Sequence, residues 1–364
     1  MIAQKSSGIR TVSVFSGAGG LDIGAIMAGA NILWANDLMK EACVSYLNNI
    51  GNHIVCGDIN EKILELKKLD NISLVIGGPP CQGFSVAGKM DENDSRSRLI
   101  WSYLRVIETV MPEAFVMENV KALGTLNRWK SIRDSLLNKM RELGYSVNLI
   151  ILNASDFDVP QQRERVFFVG FRGDSKLVPD LSKMIWPYEK KAKPLREILK
   201  VLDKAGTGNN KDVCRAKITL AQKPVLRNTP YAGMLFNGLG RPLRLNGYSA
   251  TLPASMGGNK TPILDENELY NGAKPWVESY YDEIRNNISA AKETIVPSYL
   301  RRITVAEAAL IQTFPAEYRF YGSQSMRYTQ IGNAVPCNLA KAVVQMVIDV
   351  LTSKTQISYL DNSL

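Results

Sequence analysis

Short apolar, β-branched runs alternate with helix-length stretches over the first 172 residues. This alternation constrains the fold more than any other feature of the chain. "TVSVF" (11–15), "NILWA" (31–35), "HIVC" (53–56), "SLVIG" (73–77), "AFVM" (114–117), "VNLIIL" (147–152) and "VFFVGF" (166–171) read as strands. Helical patterns lie between most of them, at 39–49, 98–110 and 128–143. Strand–helix alternation predicts an α/β domain: a mostly parallel sheet with helices on both faces. Ligands of such sheets sit at the carboxyl ends of the strands.

From about 173 the pattern fails. "KAGTGNNKD", "NGLGRPLRLNGYS" and "ASMGGNKTP" read as loops and short strands of a smaller second domain. Regularity returns at "RRITVAEAALIQTFP", where Thr304 and Glu307 have capping-box spacing and start a helix. "NAVPCNLAKAVVQMVIDVL" reads as an amphipathic helix with Pro336 in its first turn. There is no internal repeat. "MIAQKSSGIR" has no apolar signal core, and no run reads as a membrane span, so the expectation is a cytosolic protein without a membrane role. The five cysteines are scattered and unpaired by spacing, and the only histidine is His53. That indicates neither a disulfide framework nor a zinc site, so no metal is expected, and it disfavours chemistry built on a histidine base or several histidine ligands.

Charge is unevenly placed. Residues 191–260 hold 13 Lys/Arg against 3 Asp/Glu, which leaves 31 against 32 for the rest of the chain. One segment carries the whole excess of the +9 net charge, the footprint expected where phosphates are contacted.

"FSGAGGLDIG" (15–24) follows the first strand and opens a helix. Its glycines allow a tight turn close to a ligand. Asp22 occupies the third glycine position of a dinucleotide fingerprint, which counts against a nicotinamide-dependent oxidoreductase. Asp37 ends the second strand, placed for ribose hydroxyls. Asp58 follows the third, placed for an adenine amino group. Together they describe an adenosine-type ligand.

"GGPPCQGFS" (77–85) ends the fourth strand. Pro79 and Pro80 cannot continue a ladder, so the chain is forced out rigidly and Cys81 is presented on the ligand rim. Thiolate nucleophilicity suits that position better than burial. Glu118, in "FVMENV", lies at the end of the fifth strand, where a carboxyl can serve as general acid. Arg163 and Arg165 in "QQRERVFFV", at i and i+2, are expected on one face of an extended chain.

These motifs, with "RRITVAEAALIQTFP" and "QIGNAV", occur in the order and spacing of the DNA (cytosine-5)-methyltransferases, which the chain resembles over nearly its whole length. The resemblance implies a Rossmann-like, S-adenosylmethionine-dependent fold, with a catalytic domain at 1–185, an inserted target-recognition domain at 186–326 and a returning segment at 327–364. It implies a cofactor site of Phe15, Gly17, Gly19, Gly20, Leu21, Asp37, Leu38, Asp58, Ile59, Pro80, Leu99, Asn333 and Ala334. Cys81 would attack C6 of a flipped cytosine, with Glu118 at N3. Arg165 would hold Glu118 and the base, and Arg163 would support the loop. Gln82, Ser85 and Arg96, within a mobile stretch at 82–98, and Thr251 of "SATLPASMGG" would contact double-stranded DNA.

The same resemblance implies S-adenosyl-L-homocysteine as product, a monomer on DNA, a bacterial cytoplasm and a partner restriction endonuclease. Transfer-RNA methylation is the alternative within the family, but "VCRAKIT" (213–219) is not the Cys-Phe-Thr element of those relatives. A catalytically dead binding module is disfavoured by intact Cys81, Glu118, Arg163 and Arg165.

Overall fold

The computed structural model describes residues 8–80, 98–173, 180–287 and 294–361. Two compact units divide the chain. The first comprises Met1–Asp158, Glu164–Lys190 and Ala334–Leu364; the second comprises Val159–Arg163 and Lys191–Asn333.

In the first unit every expected strand forms, and all seven join one sheet. They are β1 (Arg10–Val14), β2 (Asn31–Asp37), β3 (Ile54–Cys56), β4 (Leu74–Gly77), β5 (Ala114–Val120) and β6 (Tyr145–Asn153), followed after the two-residue β7 (Gln161–Gln162) by β8 (Glu164–Arg172). β7 belongs to the second unit. The sheet order is β3-β2-β1-β4-β5-β8-β6. β8 runs antiparallel to both β5 and β6; the remaining pairs are parallel. Val12, Val14, Val75, Ile76, Phe115, Met117, Phe167 and Phe168 are fully buried. Such unbroken apolar runs are what a sheet covered on both faces requires.

Helices α1 (Gly20–Met27), α2 (Lys40–Asn49), α3 (Ile59–Lys62), α4 (Arg98–Val110), α5 (Lys121–Thr125) and α6 (Lys130–Glu142) supply the crossovers and flanks. From β1 the chain winds outward through β2 to β3, then returns to place β4 on the other side of β1. The connections leaving β1 and β4 therefore diverge, and a crevice opens at their carboxyl ends.

The helix Cys337–Asp361 packs along α1. A Cβ on Gly24 of α1 would lie 2.4 Å from Ala340 Cβ and 2.5 Å from the Cys337 carbonyl oxygen, so only glycine permits this approach. Pro336 precedes the helix by one residue, and its carbonyl accepts from Ala340 N–H at 3.0 Å. Against the expectation of no membrane-length run, Gln324–Ser353 is long and apolar enough to cross a membrane, with mean hydropathy 1.5. Since 78% of that stretch's apolar window is buried inside the protein, it is core structure.

The second unit is built from short pairings. Leu220–Val225 meets Met234–Phe236, Ile263–Asp265 meets Leu300–Arg302, and β7 meets Ser249–Ala250. Its core gathers Leu235, Phe236, Ile263, Leu300 and the inward face of the helix Trp276–Asn286. Thr304 caps the helix Val305–Ile311 in the anticipated capping box with Glu307. The basic segment 191–260 lies entirely within this unit.

Candidate active site

The turn from β1 to α1 is held in an uncommon backbone conformation. Phe15, Gly17 and Gly19 all have positive φ, of 56°, 54° and 79°. For the two glycines this costs little; for Phe15 it is strain held by its surroundings. Among the described residues, no atom beyond Gly17 and its chain neighbours lies within 4 Å of where its Cβ would be, which leaves that backbone open to a ligand. Gly20 and Leu21 open α1.

Asp37, at the end of β2, braces this turn. Its Oδ2 accepts from Gly17 N–H at 2.8 Å and its Oδ1 from Met39 N–H at 2.8 Å. Burial pushes its carboxyl up from the ordinary range, opposed by those backbone hydrogen bonds. Leu38 beside it is 70% exposed, an apolar surface next to the turn. Asp58 caps α3, its Oδ1 taking both Asn60 N–H and Asn60 Nδ2 at 2.9 Å. The Ile59 side chain is 2% exposed and belongs to the core, so only its backbone faces a ligand. Leu99 lies half-buried in the first turn of α4. The open cradle at Gly17, the braced acid at Asp37 and the capping acid at Asp58 fit an adenosine-type cofactor.

One residue here escaped the sequence reading in its role. Asp22 is fully buried in the first turn of α1. Ser13 Oγ donates to its Oδ2 at 3.0 Å and Tyr46 O–H to its Oδ1 at 2.8 Å. The Tyr46 hydroxyl also meets His53 Nε2 at 3.0 Å. Burial raises the Asp22 pKa to about 7, opposed by the two side-chain hydrogen bonds. Burial also lowers that of His53. An acid placed just behind a glycine turn, amid apolar neighbours, was the available signal.

On the other side of the crevice, β4 leads through Gly78 and Pro79 to Pro80. Cys81, Gln82, Ser85 and Arg96 lie outside the described residues. Glu118 and Arg165 sit on adjacent strands, where Val120 is directly opposite Arg165 and Glu118 opposite Phe167. They are therefore diagonal neighbours on one face, within reach of long side chains. Arg165 Nε contacts Glu118 Oε1 at 2.9 Å, with both side chains largely buried. Arg165 Nη1 donates to the Glu164 carbonyl at 2.8 Å. A Cβ on Gly78 would lie 3.0 Å from Glu118 Oε2, so glycine there makes room for the carboxylate. Asn119 ties the same corner together, its Nδ2 donating to the Pro79 carbonyl at 3.0 Å.

Arg163, between β7 and the start of β8, and Arg165, within β8, meet different partners. Arg163, 2% exposed, donates to the carbonyls of Leu252 at 3.3 Å and Gly332 at 3.1 Å, both in the second unit. Thr251 is exposed, and its hydroxyl donates to the Gln162 carbonyl at 2.8 Å. Asn333 is exposed at the end of the helix Gln324–Asn333, and Ala334 opens the last segment of the first unit.

A model of the C-5 cytosine-specific DNA methylase family matches residues 9–349. The chain is 33% identical over 356 residues to the Type II methyltransferase M.FnuDI of Fusobacterium nucleatum, covering 96% of this chain and 97% of that protein. It is 31% identical over 342 residues to the Type II methyltransferase M.NgoPII of Neisseria gonorrhoeae, covering 93% and 95%. Among solved structures, the S. pombe Dnmt2 methyltransferase superposes with TM-score 0.66 at 19% identity, covering 95% of this chain and 98% of that one. At that identity the likeness concerns the fold.

Proposed function

Because the chain belongs to the C-5 cytosine-specific DNA methylase family, we propose that its transfer of a methyl group from S-adenosylmethionine to cytosine C5 in DNA runs on Cys81, Glu118 and Arg165. The observation that carries this assignment is the Arg165–Glu118 pair packed against Gly78, three residues before Cys81 in the chain. The cofactor supplies an electrophilic methyl group on a sulfonium sulfur. Phe15, Gly17, Gly19, Gly20 and Leu21 form its backbone cradle. Asp37 takes the ribose hydroxyls, Asp58 and Ile59 the adenine edge, and Leu38, Pro80, Leu99, Asn333 and Ala334 complete the pocket.

The target C6 is shielded within a duplex, so the cytosine is flipped out first. The Cys81 thiolate adds to C6. Glu118, held by Arg165, hydrogen-bonds at N3 and draws electron density away from C6. Addition makes C5 nucleophilic; C5 takes the methyl group as the sulfonium S–CH3 bond breaks, and S-adenosyl-L-homocysteine leaves with the electron pair on sulfur. Transfer of the C5 proton to water, with the C–H electrons reforming the C5–C6 double bond and expelling the Cys81 thiolate, restores aromaticity. Covalent addition thus replaces one difficult step with easier ones. Remaining Arg165 donors face the base at O2. Gln82, Ser85, Arg96 and Thr251 contact the DNA, and the basic segment 191–260 meets its phosphates.

We also infer a catalytic role for 1–185, target recognition for 186–326, and a closing role for 327–364. The enzyme acts as a monomer in a bacterial cytoplasm and protects its target sequence from a restriction endonuclease. The test is bisulfite sequencing of a plasmid from cells lacking cytosine methylation that express wild type or Cys81→Ala. Methylcytosine in one recurring sequence, absent with Cys81→Ala, is expected. Persistent methylation in the variant refutes the nucleophile assignment.

A further inference from the structure

The second unit contains a buried polar chain that the reaction itself does not use. Gln161 and Gln312 are both fully buried. Gln312 Nε2 donates to the Ile331 carbonyl at 2.7 Å. Gln312 Oε1 accepts from Gln161 Nε2 at 2.9 Å, and Gln161 Oε1 accepts from Leu252 N–H at 2.9 Å. Arg163 closes the circuit on the carbonyls of Leu252 and Gly332. The Leu252 residue is therefore gripped at both its N–H and its C=O.

The direction of this chain is fixed. Rotating the Gln312 amide would set its oxygen against the Ile331 carbonyl. Rotating Gln161 would set its NH₂ against Leu252 N–H. Each reversal leaves buried groups unsatisfied, at a cost of about 1–3 kcal/mol apiece. The backbone after Leu252 is confined as tightly, since a Cβ on Gly332 would meet Pro253 O at 2.5 Å and Ala254 N at 2.6 Å. On the other side, Ser249–Ala250 pairs with β7, and Thr251 Oγ1 binds the Gln162 carbonyl. All this order converges on Thr251, whose side chain is exposed. An apolar core would hold a backbone at lower desolvation cost than buried amides and a guanidinium. What the polar chain adds is a single allowed setting.

We propose that Gln161, Gln312 and Arg163 are positioning residues for target recognition, setting the 251–252 backbone so that the exposed Thr251 meets DNA at one fixed place. This rests on the reading of Thr251 as a DNA contact. Gln312 touches neither DNA nor cofactor in this arrangement; it acts through Gln161. Loosening it therefore costs discrimination between the correct site and near matches, while cofactor binding is preserved.

The test is Gln312→Met in the full chain. It combines cofactor titration, steady-state methylation of duplex DNA carrying the mapped site, and bisulfite counting at sites changed by one base. KM for DNA is expected to rise about tenfold, equivalent to about 1.4 kcal/mol. Near-match methylation should increase relative to the correct site, with cofactor affinity within about twofold of wild type. Combining Gln312→Met with Gln161→Met should add little, as members of one network are coupled. Gln312→Leu removes the same donor and acceptor with a different apolar shape; it should raise KM as Gln312→Met does, and it replaces that variant if Gln312→Met does not fold. A loss of thermal stability with unchanged DNA KM and unchanged discrimination overturns the proposal. Failure of the underlying reading shows separately, as an unchanged KM in Thr251→Ala alone.

Discussion

Replacing Asp22 by Asn should change how the stability of this protein depends on pH. The Asp22 carboxyl ionises near 3.8 when unfolded and near 7 in the folded protein. Between those values the unfolded chain has released a proton that the native chain keeps. Stability contributed by neutral Asp22 is thus fully present below pH 4 and is lost as pH rises through 7. The whole shift corresponds to about 4 kcal/mol at 1.36 kcal/mol per unit. About 3 kcal/mol of it falls between pH 5 and 8. Asparagine has no proton to lose, yet its oxygen still accepts from Tyr46 and its NH₂ can donate to Ser13.

The advantage of Asp22→Asn over wild type should therefore grow by about 3 kcal/mol from pH 5 to pH 8. Urea unfolding of both proteins at each pH measures it. His53 works in the opposite sense, because a lowered native pKa makes stability rise with pH, but both proteins share it and the difference isolates Asp22. Stability profiles that run parallel from pH 5 to 8 would refute the buried, proton-retaining carboxyl.

Removing the brace at Asp37 with alanine should weaken S-adenosylmethionine binding by about 1–3 kcal/mol, as for a lost buried hydrogen bond, measured by calorimetric titration; unchanged affinity rejects its ribose role. Glu118→Gln should lower kcat by about 10²–10⁴, the range for a positioned proton donor, while DNA affinity in a gel-shift assay holds. Gly24→Val should lower stability by about 1–3 kcal/mol or more, because the added carbons meet the Cys337–Asp361 helix and overpack it, which thermal unfolding will detect. Neutralising lysines and arginines within 191–260 should flatten the salt dependence of DNA binding, each lost phosphate contact reducing the slope by about one; an unaltered slope places the segment away from DNA.

Local signals carried the fold. Apolar runs such as "SLVIG" and "VFFVGF" announce buried strands because a sheet covered on both faces tolerates little else, and Thr304 with Glu307 announces a cap because both partners lie within one turn. The acids at Asp37 and Asp58 were legible because their place at strand ends follows from topology alone. What escaped the sequence depends on partners far along the chain. The two-residue β7 has no period to detect, and its partner Ser249–Ala250 lies beyond many loops. Arg163 and Arg165 look alike until the chain changes partners between them. The short piece Val159–Arg163 joins the second unit although the chain on either side of it belongs to the first, which no local pattern announces. The helix Gln324–Asn333 is tied to the helix Val305–Ile311 by packing and to Gln312 through the Ile331 carbonyl, and neither tie can be read from composition.

The packing of α1 against the helix Cys337–Asp361 also sets an order of events during synthesis. α1 begins at the Phe15–Gly19 turn, yet the surface that covers its Gly24 face is made only after the whole second unit. At about 5–20 residues per second, α1 waits roughly 15–60 s for that surface. The second unit is made entirely within this interval. The β1–α1 corner is therefore finished only after the second unit already exists, and a chain stalled midway lacks the helix that seats α1.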